Sequence, residues 1–422
     1  MKNILFIHQN FPGQFRHVAQ ELAQSPNYQV LAIGRDTAPG LPGVRLLRYT
    51  PHRSPKQDGH PYLRRYEDAV LHGQAVSRLL LQLCQQGFLP DVIVAHPGWG
   101  ETLFAKDVFP DSQLIHFCEY YYPARGADAG FDPEFPLSLD GAARLRARNA
   151  LHLLNLENCD LGITPTRWQH SLHPAAYRDK ITIIHEGIDT GRLHADPHAT
   201  LTLPNGRTLH AGQPIVTYVA RNLEPYRGFH SFMRALPIIL RGHPEVQVLI
   251  VGGDDVSYGS RPKDMVSWRE KLLREVPVDL DRVHFLGKLP YDTYRKVLQV
   301  SAVHVYLTYP FVLSWSLLEA MASGCLVVGS DTAPVREVIS HGENGLLVDF
   351  FDQPALAETV LGTLHEPGCY QNQRAAARAT AARYSVAKGV VAYRRLIEQA
   401  SACHTSSHSA AQDGVLSSGH YL

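Results

Sequence analysis

An α/β fold built on two doubly wound parallel sheets is predicted for this chain of 422 residues, and three observations predict it. Short apolar runs alternate with longer helical patterns along the chain, as parallel strands joined by crossover helices require. The length exceeds one typical core and suits two domains of about 200 residues each. Between Gly187 and Gly212, Asp196-Pro197, Pro204-Asn205-Gly206 and Ala211-Gly212-Gln213-Pro214 interrupt regular structure and mark a join. The domains are therefore placed at 1–190 and 191–400. The stretch 401–422, rich in Ser, His, Ala and Gly, reads as a flexible tail; its His404 and His408 could bind a metal, and a solvated tail is the favoured reading.

The strands follow in order. Ile4–His8 opens the chain; its four apolar residues before His8 are too few for a signal-peptide core. Gln29–Ile33, Val92–Ala95, Leu114–Phe117, Leu161–Thr164 and Ile181–Ile184 complete the first sheet. The second takes Ile215–Val219, Gln247–Val251, Val283–Leu286, Val303–Leu307, Leu326–Gly329 and Gly345–Val348. A cleft between two such domains, at the carboxyl ends of the strands, is the expected ligand site. No apolar run approaches the roughly 20 residues that cross a bilayer, so membrane contact would be peripheral. Lys+Arg and Asp+Glu balance at 40 each, which leaves no global field toward nucleic acid. The six cysteines show no CxxC spacing, against a zinc site or a disulfide framework; a reducing cytoplasm is the expected compartment.

The most informative segment is Ser314-Trp315-Ser316-Leu317-Leu318-Glu319, which runs on to Ser323-Gly324 and a buried strand. Small polar residues open a helix there and a glycine closes it. Its free N–H groups and positive dipole end suit a phosphate, and Glu319, about one turn in, suits sugar hydroxyls. An ordinary capped amphipathic helix is the alternative. After Ile215–Val219 come Arg221 and Arg227, six residues apart and able to flank a diphosphate; otherwise Arg221 caps carbonyls and Arg227 is solvated. Gly252-Gly253 at the next strand end allows close backbone approach to a ligand, or is a plain turn. Leu286-Gly287 makes a further strand-end turn where backbone groups can pair with a base edge. Asp279-Leu280-Asp281 mimics a metal-binding Asp-x-Asp but precedes a strand, and reads as a surface turn without metal.

Five segments now stand in order: Val-Ala-Arg-Asn-Leu-Glu-Pro-Tyr-Arg-Gly (219–228), Val-Gly-Gly-Asp (251–254), His-Phe-Leu-Gly (284–287), Ser-Leu-Leu-Glu-Ala-Met-Ala-Ser-Gly (316–324) and Gly-Glu-Asn-Gly-Leu-Leu-Val (342–348). The chain resembles glycosyltransferase family 4, retaining enzymes of the GT-B fold, over about residues 1–395, most strongly in the second half. The resemblance implies two Rossmann-like domains facing each other across a cleft, the first on the acceptor side and the second on the donor side. It implies that Arg221 and Arg227 hold the donor diphosphate, that Glu319 binds the ribose and that Leu286 and Gly287 lie near the base. Family members often carry a glutamate eight positions before the ribose-binding one, and here Phe311 stands there. Sugar contacts would then come from backbone around Val312, Leu313, Ser314, Trp315 and Ser316.

In the first half, Gly13 at a helix start is suited to close approach by a donor phosphate or acceptor, or to a simple turn. His96 ends the third strand and is placed to donate to a sugar oxygen, unless local backbone satisfies it. Glu119 stands where many relatives have a histidine near the donor sugar; a carboxylate there can orient a hydroxyl or act as base. Tyr120-Tyr121-Tyr122 suits carbohydrate or lipid-linked acceptor contact, or packs its own loop. Arg144, Arg146 and Arg148 would meet phosphate headgroups or form a solvated face. The function expected is retaining, metal-independent transfer of a hexosyl group from a nucleoside diphosphate sugar, a co-substrate and not a cofactor, to a hydroxyl of a glycan, lipid-linked or small-molecule acceptor. A GT-B nucleotide-sugar epimerase and a non-catalytic nucleotide-sugar-binding protein are the alternatives.

Overall fold

The computed structural model describes the backbone of residues 1–415 and the side chains of residues 1–402. The chain divides into two compact units: Met1–Gly130, Glu134–Gly187 and the residues from Val386 onward form the first, Phe131–Pro133 and Ile188–Ser385 the second.

The first unit is built on seven parallel strands: β1 (Lys2–Ile7), β2 (Tyr28–Arg35), β3 (Arg45–Tyr49), β4 (Val92–Ala95), β5 (Gln113–Phe117), β6 (Leu161–Thr164) and β7 (Ile181–Ile183). They lie in the order β3-β2-β1-β4-β5-β6-β7. Strand side chains alternate between faces, so Ile4, Phe6, Val92 and Val94 enter one core while Leu5, Ile7, Ile93 and Ala95 enter the other. Burial on both faces explains the unbroken apolar runs. Strand order reverses between β1 and β4, the switch point where such sheets open a crevice for ligands.

The second unit carries an antiparallel pair, β8 (Thr200–Thr202) and β9 (Thr208–His210). Its main sheet is parallel, with β10 (Ile215–Asn222), β11 (Gln247–Gly253), β12 (Val283–Gly287), β13 (Val303–Tyr306), β14 (Leu326–Ser330) and β15 (Leu346–Val348) in the order β12-β11-β10-β13-β14-β15. Here the order reverses between β10 and β13.

Three features differ from the sequence reading. The span 191–400 does not stay together, because the helix Val386–Val415 sends Tyr393, Leu396, Ile397 and Ala400 into the first core beside Phe15, Val18 and Leu22. The join interval holds a hairpin, with Pro204-Asn205-Gly206 as its turn. β3 went unread because Arg45 and Arg48 flank its two leucines at the sheet edge. Of the tail, the side chains beyond Ala402, His404 and His408 included, lie outside the described residues.

Candidate active site

At the switch point of the first sheet, β1, β4 and β5 deliver His8, His96 and Glu119 to one edge, since Ile7 pairs with Ala95 and Ala95 with His116. The backbone N–H of Asn10 donates to His8 Nδ1 at 2.9 Å, so the ring proton of the neutral imidazole sits on Nε2, which meets Gln14 Oε1 at 2.8 Å. Gln14 then donates from Nε2 to Glu119 Oε1 at 3.4 Å. Burial, then repulsion by His96, lowers the His8 pKa to about 3, so the ring stays neutral. In the same way Gly98 N–H donates to His96 Nδ1 at 3.2 Å, placing the His96 proton on Nε2, 3.5 Å from Glu119 Oε2. Trp99 stacks on His96 at 4.5 Å between centroids.

Gly13 has a structural reason of its own. A Cβ on it would lie 2.3 Å from His8 Nε2, and its φ is +47°, so glycine makes room for the imidazole. A cavity of about 100 Å3 adjoins the cluster, lined among others by His96, Trp99, His116, Glu119, Tyr122, Arg148 and Asn155. The Arg148 guanidinium lies 3.5 Å over the Tyr122 ring and donates to the Tyr122 hydroxyl at 2.7 Å. Arg148 is therefore turned onto Tyr122, whereas Arg144 and Arg146 are exposed. Tyr120 is buried with its hydroxyl on Asp128, while Tyr121 and Tyr122 are partly exposed.

In the second unit, Arg221 at the end of β10 is exposed. Arg227 is buried: Nη1 donates to Thr308 Oγ1 at 2.8 Å and to the Val312 carbonyl at 3.0 Å, and its Cζ lies 5.2 Å from the Tyr258 ring and 5.9 Å from that of Phe311. Phe311 thus fills the place of the usual glutamate with an aromatic wall, closed by Tyr226 at 5.5 Å and Tyr258 at 4.9 Å. Behind it lies a carboxylate that the sequence reading missed. Glu224 is 0% exposed and accepts from the backbone N–H groups of Ser257 and Gly259 at 2.9 Å each and of Tyr258 at 3.2 Å. This clamp holds the loop that brings Tyr258 over Arg227. Within the same unit, Asp132 accepts from Tyr309 at 2.6 Å and pairs with His230 at 2.9 Å.

The helix Trp315–Ala322 begins after Ser314, whose hydroxyl accepts from Ser316 N–H at 3.4 Å, and it ends before Gly324 at φ +86°. Leu313 and Ser314 are half-buried, Trp315 is 43% exposed and Ser316 is buried. Glu319 lies one turn in and opens the second turn; it accepts from Tyr294 at 2.7 Å and Tyr291 at 3.3 Å, and burial raises its pKa against those bonds. Gly253 is hemmed in by Lys288 Cε and Asn222 Oδ1, which a Cβ would meet at 2.4 and 2.6 Å. Leu286 is half-buried at the end of β12, and Gly287 turns there at φ +65°. Asp279 accepts from Asp281 N–H and Arg282 Nε, which closes a turn.

Two parallel α/β units, with candidate groups at the switch point of each, have the GT-B architecture. Residues 26–193 match the glycosyl transferase family 4 group, and residues 213–366 match glycosyl transferases group 1. Among curated relatives, the D-inositol 3-phosphate glycosyltransferase of Nocardia farcinica is 30% identical over 175 residues, 41% of this chain and 37% of that one. The phosphatidyl-myo-inositol mannosyltransferase of Mycolicibacterium smegmatis is 32% identical over 156 residues, 36% of each chain. The chain thus matches little more than a third of the length of these two relatives. Sucrose-phosphate synthase from Thermosynechococcus elongatus superposes with a TM-score of 0.71 at 20% identity, covering 96% of this chain and all of that one. Anabaena HepE in complex with UDP-glucose gives 0.65 at 16%, with the same coverage. The chain belongs to glycosyltransferase family 4.

Proposed function

We propose that the protein transfers a sugar from a nucleoside diphosphate sugar to an acceptor hydroxyl, with retention at the anomeric carbon and without a metal ion. One observation carries the reading. At the carboxyl ends of β10, β11 and β13, beside the strand-order reversal, the second unit gathers Arg221, the Gly253 backbone and the Ser314-capped helix start. Cleavage of the sugar–phosphate bond builds negative charge on the departing diphosphate, and preorganised cations and N–H groups lower the barrier there. Arg221 supplies the accessible cation. Arg227 positions the 308–312 segment and adds its field, while Glu319 takes the ribose hydroxyls beside Tyr291 and Tyr294. In the first unit, Glu119 and His96 orient the reacting hydroxyl, and the leaving phosphate accepts its proton. Leu286 and Gly287 are assigned to the base, and Leu313 to Ser316 to the sugar and phosphates.

Release of nucleoside diphosphate from a panel of nucleotide sugars tests the reading. Turnover that survives a chelator and falls at least 10-fold in Arg221→Ala is expected. Equal turnover in that variant, or sugar interconversion without an acceptor, would remove it.

A further inference from the structure

The cavity beside His96 and Glu119 has a polarity that selects its occupant. His116 Nδ1 faces the Asn155 carbonyl at 3.1 Å; a carbonyl only accepts, so the neutral ring keeps its proton on Nδ1 and offers Nε2 as an acceptor. Asn155 spends its Nδ2 on the Pro97 carbonyl at 3.0 Å, which leaves Oδ1 as an acceptor. Neither His116 Nε2 nor Asn155 Oδ1 has a hydrogen-bond partner, and the two residues are 1% and 3% exposed. Buried acceptors left this way cost free energy until a donor reaches them. Glu119 adds acceptor oxygens, and His96 Nε2–H is the ring donor that faces it across 3.5 Å without a hydrogen bond. The cation in the lining, Arg148, lies flat on Tyr122. Burial holds the pKa of His152 at about 3 and of His173 at about 4, so neither lining ring adds positive charge near neutral pH.

Resting on the transferase reading above, we propose that this cavity takes the hydroxyl-bearing ring edge of an uncharged polyol, a pyranoside or a cyclitol, as the acceptor end group, and turns away a phosphorylated one. Hydroxyls donate to His116 Nε2 and Asn155 Oδ1, and one hydroxyl bridges His96 Nε2–H and Glu119 Oε2. A phosphate, which only accepts, meets two acceptor atoms and a carboxylate, and would be desolvated against one guanidinium already engaged. About 100 Å3 suits the edge of one ring.

Saturation-transfer NMR on the full chain, without any donor, compares methyl α-glucopyranoside and myo-inositol with glucose 6-phosphate and inositol 1-phosphate. Binding of a neutral probe at least 10-fold tighter than its phosphate is expected, with loss of that binding in Asn155→Leu. Glu119→Gln, at a side chain 40% exposed, keeps the fold and should narrow the gap between neutral and phosphorylated probes several-fold. Equal or tighter binding of the phosphates, or no binding of any probe, overturns the proposal. Nucleotide release from the donor panel judges the transferase reading separately.

Discussion

A carboxylate with no exposed surface persists only when donors replace its water, and Glu224 obtains them from three successive backbone N–H groups. Glu224→Ala should therefore cost about 2–4 kcal/mol, read as a lower midpoint in urea, and should speed amide exchange at residues 257–259. Arg227→Ala loses two hydrogen bonds and two aromatic faces. It should lower stability by about 2–4 kcal/mol as well as donor turnover, and an unchanged denaturation midpoint would show that the buried contacts carry nothing. Sequence marked Arg221, Arg227 and Glu319 because cations and carboxylates after strands are visible as spacing. Glu224 escaped because its partners lie 33 to 35 residues onward, in a loop whose return no local pattern announces. His8 and Gln14 escaped for a related reason: their roles come from a bond to Glu119, 105 residues beyond Gln14.

At the scale of elements, the twelve strands read from apolar runs all occur, because burial on both faces of a parallel sheet writes itself as continuous hydrophobicity. The edge strand β3 and the surface pair β8 and β9 do not write themselves so, although the other edge strands, β7, β12 and β15, do. β3 begins with an arginine and carries another before Tyr49, and β8 and β9 each expose two of three residues. The N-terminal helix entry depends on Gly13; Gly13→Ala must displace the His8 ring and adopt a left-handed φ. A loss of about 1–3 kcal/mol with disturbed His8 imidazole NMR signals is expected. The terminal helix is held by its apolar face. Ile397, at 0% exposure, should cost about 2–5 kcal/mol when cut to alanine, and calorimetry should show the loss in the first unit's transition.

Across the whole molecule, buried histidines set how stability follows pH. Burial lowers the pKa of His8, His152 and His304 to about 3 and that of His173 to about 4, below the ordinary 6.5. The unfolded chain therefore binds more protons than the folded one between those values, and stability falls as pH drops below 6.5. Burial raises Glu101 to about 7, with Tyr49 donating to it; there the folded state binds the extra proton, so this group adds stability as pH falls from 7 toward 4.5. Four histidines outweigh one glutamate. Melting temperature should decline from pH 6.5 to pH 5, and the decline should steepen in Glu101→Gln. The late arrival of Tyr393, Leu396, Ile397 and Ala400 in the first core also sets an order of events on the ribosome. Vectorial synthesis delivers every residue of the second unit by Ser385, whereas the first stays unsealed until about residue 400 has left the exit tunnel. The half of the protein that is translated first is thus the half that finishes last, and a nascent chain stalled near Ser385 would hold one closed unit beside an open, chaperone-binding one.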